Sequence, residues 1–362
     1  MKKYLLSFVF IAFIGITSIF LAIGPESNYS ENEKRYLAQM PAATVKSLTD
    51  GSFFGDFSVF LSDRAPFRDF YVGVNSYTNL ALGRNSLNNV YFARDGYLIN
   101  SPEDDGIENF EKNIDKFESF SRLVNVPSEL IIVPRAGYVL DDKLPLLSKV
   151  YNEETLLKKA EIKTEFVKFN DITSVLKNKD KQVYYKTDHH LTTYGNYLIY
   201  SNFSENEPGN YEKEVFDGFY GTTYSSSGFW LTKPDNIEIW YDGGEYTVTV
   251  FDGNEEKSYN SMYFKEHLEK SDKYPVYLNG NQPLVKIKNN NGGKGNLLII
   301  KDSYAQALAP FLARDYENTY LIDMRYYRMP VSKFIKENEV DKILYIYGIG
   351  TLLTDTSSSW LM

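Results

Sequence analysis

The chain predicts an α/β fold with a mostly parallel sheet and a β-rich insertion, and three observations lead there. First, apolar runs of strand length alternate with helical patterns over roughly residues 297–347. Second, a matching apolar run, Glu129 to Pro134, lies between two further helical patterns. Third, residues 204–292 differ from both, being rich in Tyr, Gly, Asn and Asp with short alternating runs that read as hairpins. Strands alternating with helices imply parallel pairing, and such sheets carry their sites at the carboxyl ends of strands.

The elements follow in order. Residues 4–24 are an uncharged apolar run behind Met1-Lys2-Lys3, about the 20 residues a bilayer crossing needs. A cleavable signal is shorter and ends small-x-small. Leu21-Ala22-Ile23-Gly24 is a poor match, so the expectation is an uncleaved anchor (1–24) with the rest of the chain outside the cell. Cleavage would make the protein secreted. Residues 25–50 are polar and read as a juxtamembrane stalk, leaving 51–362 as the catalytic domain with its insertion at about 204–292. Helical spacing covers 51–82, 107–124 and 153–168, and a short strand is expected over 182–185. Thr192 fits an N-cap for a helix running to about Tyr200. Strand 297–301, a helix over 304–314, strand 319–323, a helix over 331–338 and strand 342–347 close the chain.

Composition narrows the function. The net charge is −9 with both signs interspersed, against the clustered bases that a nucleic-acid partner needs. There is no cysteine, so disulfides, lipoprotein anchoring and zinc thiolate sites are excluded. The 30 tyrosines suit sugar stacking, but a general compositional bias accounts for them as well.

The chain has three histidines, and two of them sit in Thr187-Asp188-His189-His190-Leu191-Thr192. A serine hydroxyl is a weak nucleophile until an imidazole takes its proton, and the imidazole needs a carboxylate on its other nitrogen. In an extended segment Asp188 and His190 face one side while His189 turns away. The run Leu297–Ile300 leads into Lys301-Asp302-Ser303-Tyr304-Ala305, a strand feeding a serine-bearing turn. Asp188, His190 and Ser303 are therefore the candidate catalytic set. Oxyanion donors would come from backbone N–H groups after Ser303 and from Asn279-Gly280-Asn281. The plainer alternatives are a structural histidine pair, Ser303 as an ordinary N-cap, and a simple turn at 279–281. A manganese phosphoesterase also uses Asp-His-His, but it needs further ligands, and only His267 remains. No metal or cofactor is expected.

These motifs, with Gly195 and Asp323-Met324-Arg325-Tyr326-Tyr327, resemble the DHHW family of extracytoplasmic Gram-positive proteins over roughly residues 30–355. That family is similar to the SGNH-like polysaccharide O-acetyltransferases of the alginate-acetylation type. The resemblance implies an SGNH-hydrolase-like α/β/α sandwich. It implies Ser303 as nucleophile, His190 as base and Asp188 as its partner, with Asn281, Gly280 and the Ser303 N–H as oxyanion hole. It also implies Tyr304, Arg325 and Tyr326 as substrate contacts, a polysaccharide substrate, and an acetyl donor supplied by a membrane-bound O-acyltransferase. Asp-x-His precedes the serine, the permuted order of the alginate type. Leu191 stands where the family has Trp, which loses an aromatic face. The expected function is O-acetyl transfer to an extracellular polysaccharide. The alternatives are a carbohydrate acetylesterase and a non-catalytic glycan-binding or assembly protein.

Overall fold

The structure is a computed structural model that describes residues 2–23, 28–102, 105–177, 180–204, 206 and 209–361. In chain order its larger helices begin with α1 (Lys2–Ile23), α2 (Ser52–Asp63), α3 (Arg68–Ala81) and α4 (Ile107–Val124). Strand β1 (Ser128–Val133), α5 (Glu153–Lys163), β2 (Val167–Asn170) and α6 (Thr193–Phe203) follow. The insertion region supplies β3 (Glu212–Phe219), β4 (Asp235–Tyr241), β5 (Tyr246–Phe251) and β6 (Glu256–Tyr259). The chain ends through β7 (Leu284–Asn289), β8 (Asn296–Lys301), β9 (Asn318–Ile322), α7 (Val331–Glu337) and β10 (Lys342–Gly348).

Eight strands form one sheet in the order β6-β5-β7-β9-β8-β10-β1-β2. The five from β9 to β2 run parallel, and β7, β5 and β6 extend the sheet with antiparallel pairings. The central parallel strands β8, β10 and β1 are apolar through their middles because both of their faces are covered. Leu297 and Ile299 of β8 pack into one core layer, and Leu298 and Ile300 into the other. Strand β10 divides likewise, with Leu344 and Ile346 on one side and Ile343 and Tyr345 on the other. Strands β3 and β4 pair as a separate hairpin.

The local expectations meet mixed fates. Thr192 caps α6, its hydroxyl accepting the Gly195 N–H at 3.1 Å. The expected strand over 182–185 reduces to a single bridge, Tyr184 to Leu191.

The expected membrane helix is corrected. Residues 2–23 are helical. Among the described residues no helix is long and apolar enough to cross a membrane. The α/β fold therefore stands without the anchor at 1–24. The membrane-anchored, Gram-positive extracytoplasmic placement that rested on the anchor falls with it. Gly24 and residues 25–27, the end of that segment and the start of the expected stalk, lie outside the described residues.

Candidate active site

Strand β8 delivers Ser303 to the carboxyl edge of the sheet. Asp302, 1% exposed, fixes the turn. One of its oxygens accepts the Tyr304 N–H and the other the Gly348 N–H at the end of β10, both at 2.9 Å. Asp302 is thus the cap, and Ser303 is free of that task. The helix expected over 304–314 is a single 3-10 turn, Ser303–Ala305, followed by Ala309–Leu312. Pro310 lacks an N–H and fits only a first turn, so the helix restarts there.

Asp188, His190 and Ser303 come together. The Ser303 Oγ lies 2.7 Å from His190 Nε2, and His190 Nδ1 lies 2.5 Å from Asp188 Oδ1. The same oxygen accepts the His190 backbone N–H at 2.9 Å, so the carboxylate grips the imidazole residue twice. The other oxygen accepts the Thr222 N–H at 2.7 Å and its hydroxyl at 3.0 Å. Burial alone would raise the Asp188 pKa. The neighbouring imidazoles and the donated hydrogen bonds outweigh it and hold the carboxyl well below its usual range. An ionised Asp188 can only accept, so Nδ1 carries the proton and Nε2 is left bare to accept from the serine hydroxyl.

The segment is held from behind by Asp235, 6% exposed. Its carboxylate accepts from Gln182 Nε2, the Lys186 N–H, the Thr187 N–H and the Thr187 hydroxyl at 2.7–2.9 Å. Gly221 lies against Asp188 so closely that a Cβ there would sit 2.1 Å from the Asp188 Cβ. The Tyr274 ring stacks on the imidazole at 4.0 Å and 14°. Leu191 is buried in the core, and the aromatic face over His190 comes from Tyr274.

His189 points elsewhere, its Nδ1 2.7 Å from Thr222 Oγ1. Asp188, His189 and His190 do present ligand atoms within 4.8 Å of one another. A cation would have to compete with His190 and Thr222 for Asp188, and with Ser303 for His190 Nε2. His267 bonds Asn279 Oδ1 at 2.7 Å instead.

The side proposed for the oxyanion is built differently. Leu278, Asn279 and Gly280 all adopt left-handed backbone, with φ of 54°, 59° and 76°. For a leucine that is strained, of the kind found where a side chain must be aimed. The turn presents Asn281 at the surface. The Asn281 Oδ1 accepts from Lys301 Nζ at 3.2 Å and from Gln306 Nε2 at 2.8 Å. A lysine ammonium can only donate, so it sets which end of the amide faces inward and leaves Nδ2 outermost. Lys301 is 2% exposed and ion-paired at 3.4 Å with Asp323, which Arg325 grips through two nitrogens at 2.9 and 2.6 Å. Burial lowers the Lys301 pKa, and Asp323 partly restores it. The Ser303 N–H donates to no group among the described residues. The Gly280 N–H does not share that freedom, because it closes the turn onto the Tyr277 carbonyl at 3.2 Å.

A cleft of about 600 Å³ opens beside the site, with Asn100, Arg135, His189, Thr223, Tyr304 and Arg325 among its walls. Tyr304 also donates to the His189 carbonyl at 3.0 Å. Tyr326, 50% exposed, is not among the lining residues. Thr222, Asp235, Tyr274, Lys301 and Gln306 escape sequence reasoning. Only Lys301 left a trace, as a charge ending an otherwise apolar buried strand.

Two solved structures share the fold. A DHHW family protein from Eubacterium siraeum is 22% identical, with a TM-score of 0.67, covering 76% of this chain and 95% of that one. Bacillus cereus PatB1 with a sulfonyl adduct is 20% identical, with a TM-score of 0.62, covering 75% and 98%. The O-acetyltransferase domain of Pseudomonas putida AlgJ is more distant, 14% identical with a TM-score of 0.45, covering 74% of this chain and 94% of that one. No curated protein matches the chain. The DHHW protein family model matches residues 159–322, a stretch holding both His190 and Ser303, so the resemblance read from the motifs is borne out as a DHHW family domain.

Proposed function

We propose that the protein is a serine O-acetyltransferase acting on a polysaccharide hydroxyl. The observation that carries this is the continuous chain from Ser303 Oγ to His190 Nε2 and from His190 Nδ1 to Asp188. The Ser303 oxygen attacks the carbonyl carbon of an acetyl ester while its proton passes to His190 Nε2. Asn281 Nδ2 and the Ser303 N–H receive the developing oxyanion. The departing alcohol takes the proton from His190, leaving acetyl-Ser303. A sugar hydroxyl in the adjoining cleft then gives its proton to Nε2 and attacks the acetyl carbonyl. Ser303 leaves and is reprotonated. Water competes at that step, so transfer depends on the cleft positioning the sugar. The DHHW family match supports this reading. Supply of the donor by a separate membrane-bound acyltransferase belongs to the same proposal.

The test gives the purified protein p-nitrophenyl acetate with and without candidate oligosaccharides. Acetylated oligosaccharide, absent with Ser303→Ala and blocked by a sulfonyl fluoride that labels Ser303, is expected. Acetate release unaffected by any glycan would move the protein to the esterase class. An inert Ser303 would leave the fold as a glycan-binding scaffold.

A further inference from the structure

A second cleft, about 780 Å³, lies behind the segment that carries Asp188 and His190, and its walls include Lys181, Lys186, Lys213 and Lys233. We infer that this cleft binds an anionic polysaccharide through its lysines. That the bound polymer is the acetyl acceptor rests on the proposed function; the binding itself does not.

The wall also holds carboxylates, and each is already engaged. Asp235 is spent on the four donors that hold residues 182–187. Glu238 accepts from the Trp240 indole N–H at 2.7 Å. Asp95 pairs with Lys143 at 2.8 Å. The four lysines, by contrast, make no ion pair among the described residues. Lys186 spends one N–H on the Asp95 carbonyl at 2.9 Å, and an ammonium has three. Unpaired cations gathered in a concave wall raise the local concentration of an anionic partner even on an acidic protein.

The aromatic residues argue for charge recognition over sugar stacking. The Lys213 ammonium sits over the Trp240 ring at 3.4 Å, and that of Lys181 over Tyr194 at 5.5 Å. These faces are covered, and a ligand entering the cleft meets ammonium groups. Lysine is a flexible point charge, suited to a polymer whose register is not fixed. The floor of the cleft includes Gln182, Lys186 and Thr192, so a bound chain lies against the segment leading to His190. A nucleic acid is the less favoured polyanion, because the wall holds no arginine to fork a phosphate.

Fluorescence anisotropy with labelled polygalacturonate tests this, using Ser303→Ala protein so that no turnover intervenes. Binding that weakens steeply with salt is expected. The triple variant Lys181→Gln, Lys213→Gln, Lys233→Gln should bind about tenfold more weakly with a shallower salt dependence. The corresponding triple Arg variant should retain binding. Three outcomes would overturn the inference: equal affinity for a neutral cello-oligosaccharide, unchanged affinity in the Gln variant, or tighter binding of oligodeoxythymidylate. Because no acetyl chemistry is read, failure of acyl transfer with polymer binding intact would count against the proposed function alone.

Discussion

The two sides of Ser303 are held by opposite means. On the imidazole side the restraints converge on a buried carboxylate, two from within the motif and two from Thr222, 34 residues away. Asp188 is 2% exposed, its oxygens accept four hydrogen bonds, and two of these come from His190 two residues away. On the amide side Asn281 is exposed and oriented by groups 20 and 25 residues distant, Lys301 and Gln306. One side is a buried carboxylate locked by four hydrogen bonds, and the other is a surface residue aimed by a buried charge. The lesson is that proton transfer should be brittle and oxyanion binding graded. Mutations on the first side should act all-or-none, and those on the second by degrees.

The largest effect should come from Asp188→Asn. The amide can present an N–H toward Nδ1, which favours the tautomer with its proton on Nε2, where the serine needs an acceptor. A fall in kcat of about 10⁴ is expected, as removal of this carboxylate causes in other serine enzymes. The measurement is acetyl-ester turnover with the fold checked by circular dichroism. A loss below about tenfold would mean that Asp188 is structural.

Asn281→Ala should follow, lowering turnover about 10²–10³-fold, the usual consequence of losing one oxyanion donor. Lys301→Met sharpens the contrast, because it leaves Asn281 in place but removes the charge that orients it. Its kcat should fall by up to about 100-fold, since misplacement near 1 Å costs that much. KM should hold, because Lys301 is buried at the end of β8. A rise in KM with kcat unchanged would show that Lys301 serves the substrate cleft instead.

The same contrast explains what the sequence disclosed. Asp188 and His190 were legible because a two-residue spacing is visible without a fold, and Ser303 because an apolar run ending in a polar turn marks the edge of a parallel sheet. Thr222, Asp235 and Tyr274 were not legible, since each reaches the site from the β-rich stretch through tertiary contacts. The Gly280 N–H is already used in the structure. The residue's left-handed φ suits a turn, and the turn consumes that N–H. The apolar N-terminal run was read as a membrane anchor from length and absence of charge, and no helix among the described residues is long and apolar enough for that role.

The smallest effect should be that of His189→Ala. His189 shares the Asp-His-His motif yet bonds Thr222 Oγ1, and its contribution to Ser303 is indirect, through a hydroxyl that also donates to Asp188. Removing the imidazole leaves the Thr222 N–H and hydroxyl available to Asp188, so the carboxylate keeps its partners. A loss under about tenfold is expected, against about 10⁴ for His190→Ala, the same size as for Asp188→Asn, with both variants assayed on the same acetyl ester. The pair also separates acyl chemistry from metal chemistry. Asp188, His189 and His190 are spaced closely enough to ligate a cation, and in that case His189→Ala and His190→Ala should fail alike. Equal loss in both, with activity restored by manganese and abolished by a chelator, would replace the serine mechanism. Turnover that survives chelation and tolerates His189→Ala would leave His190 as the only histidine that the chemistry uses.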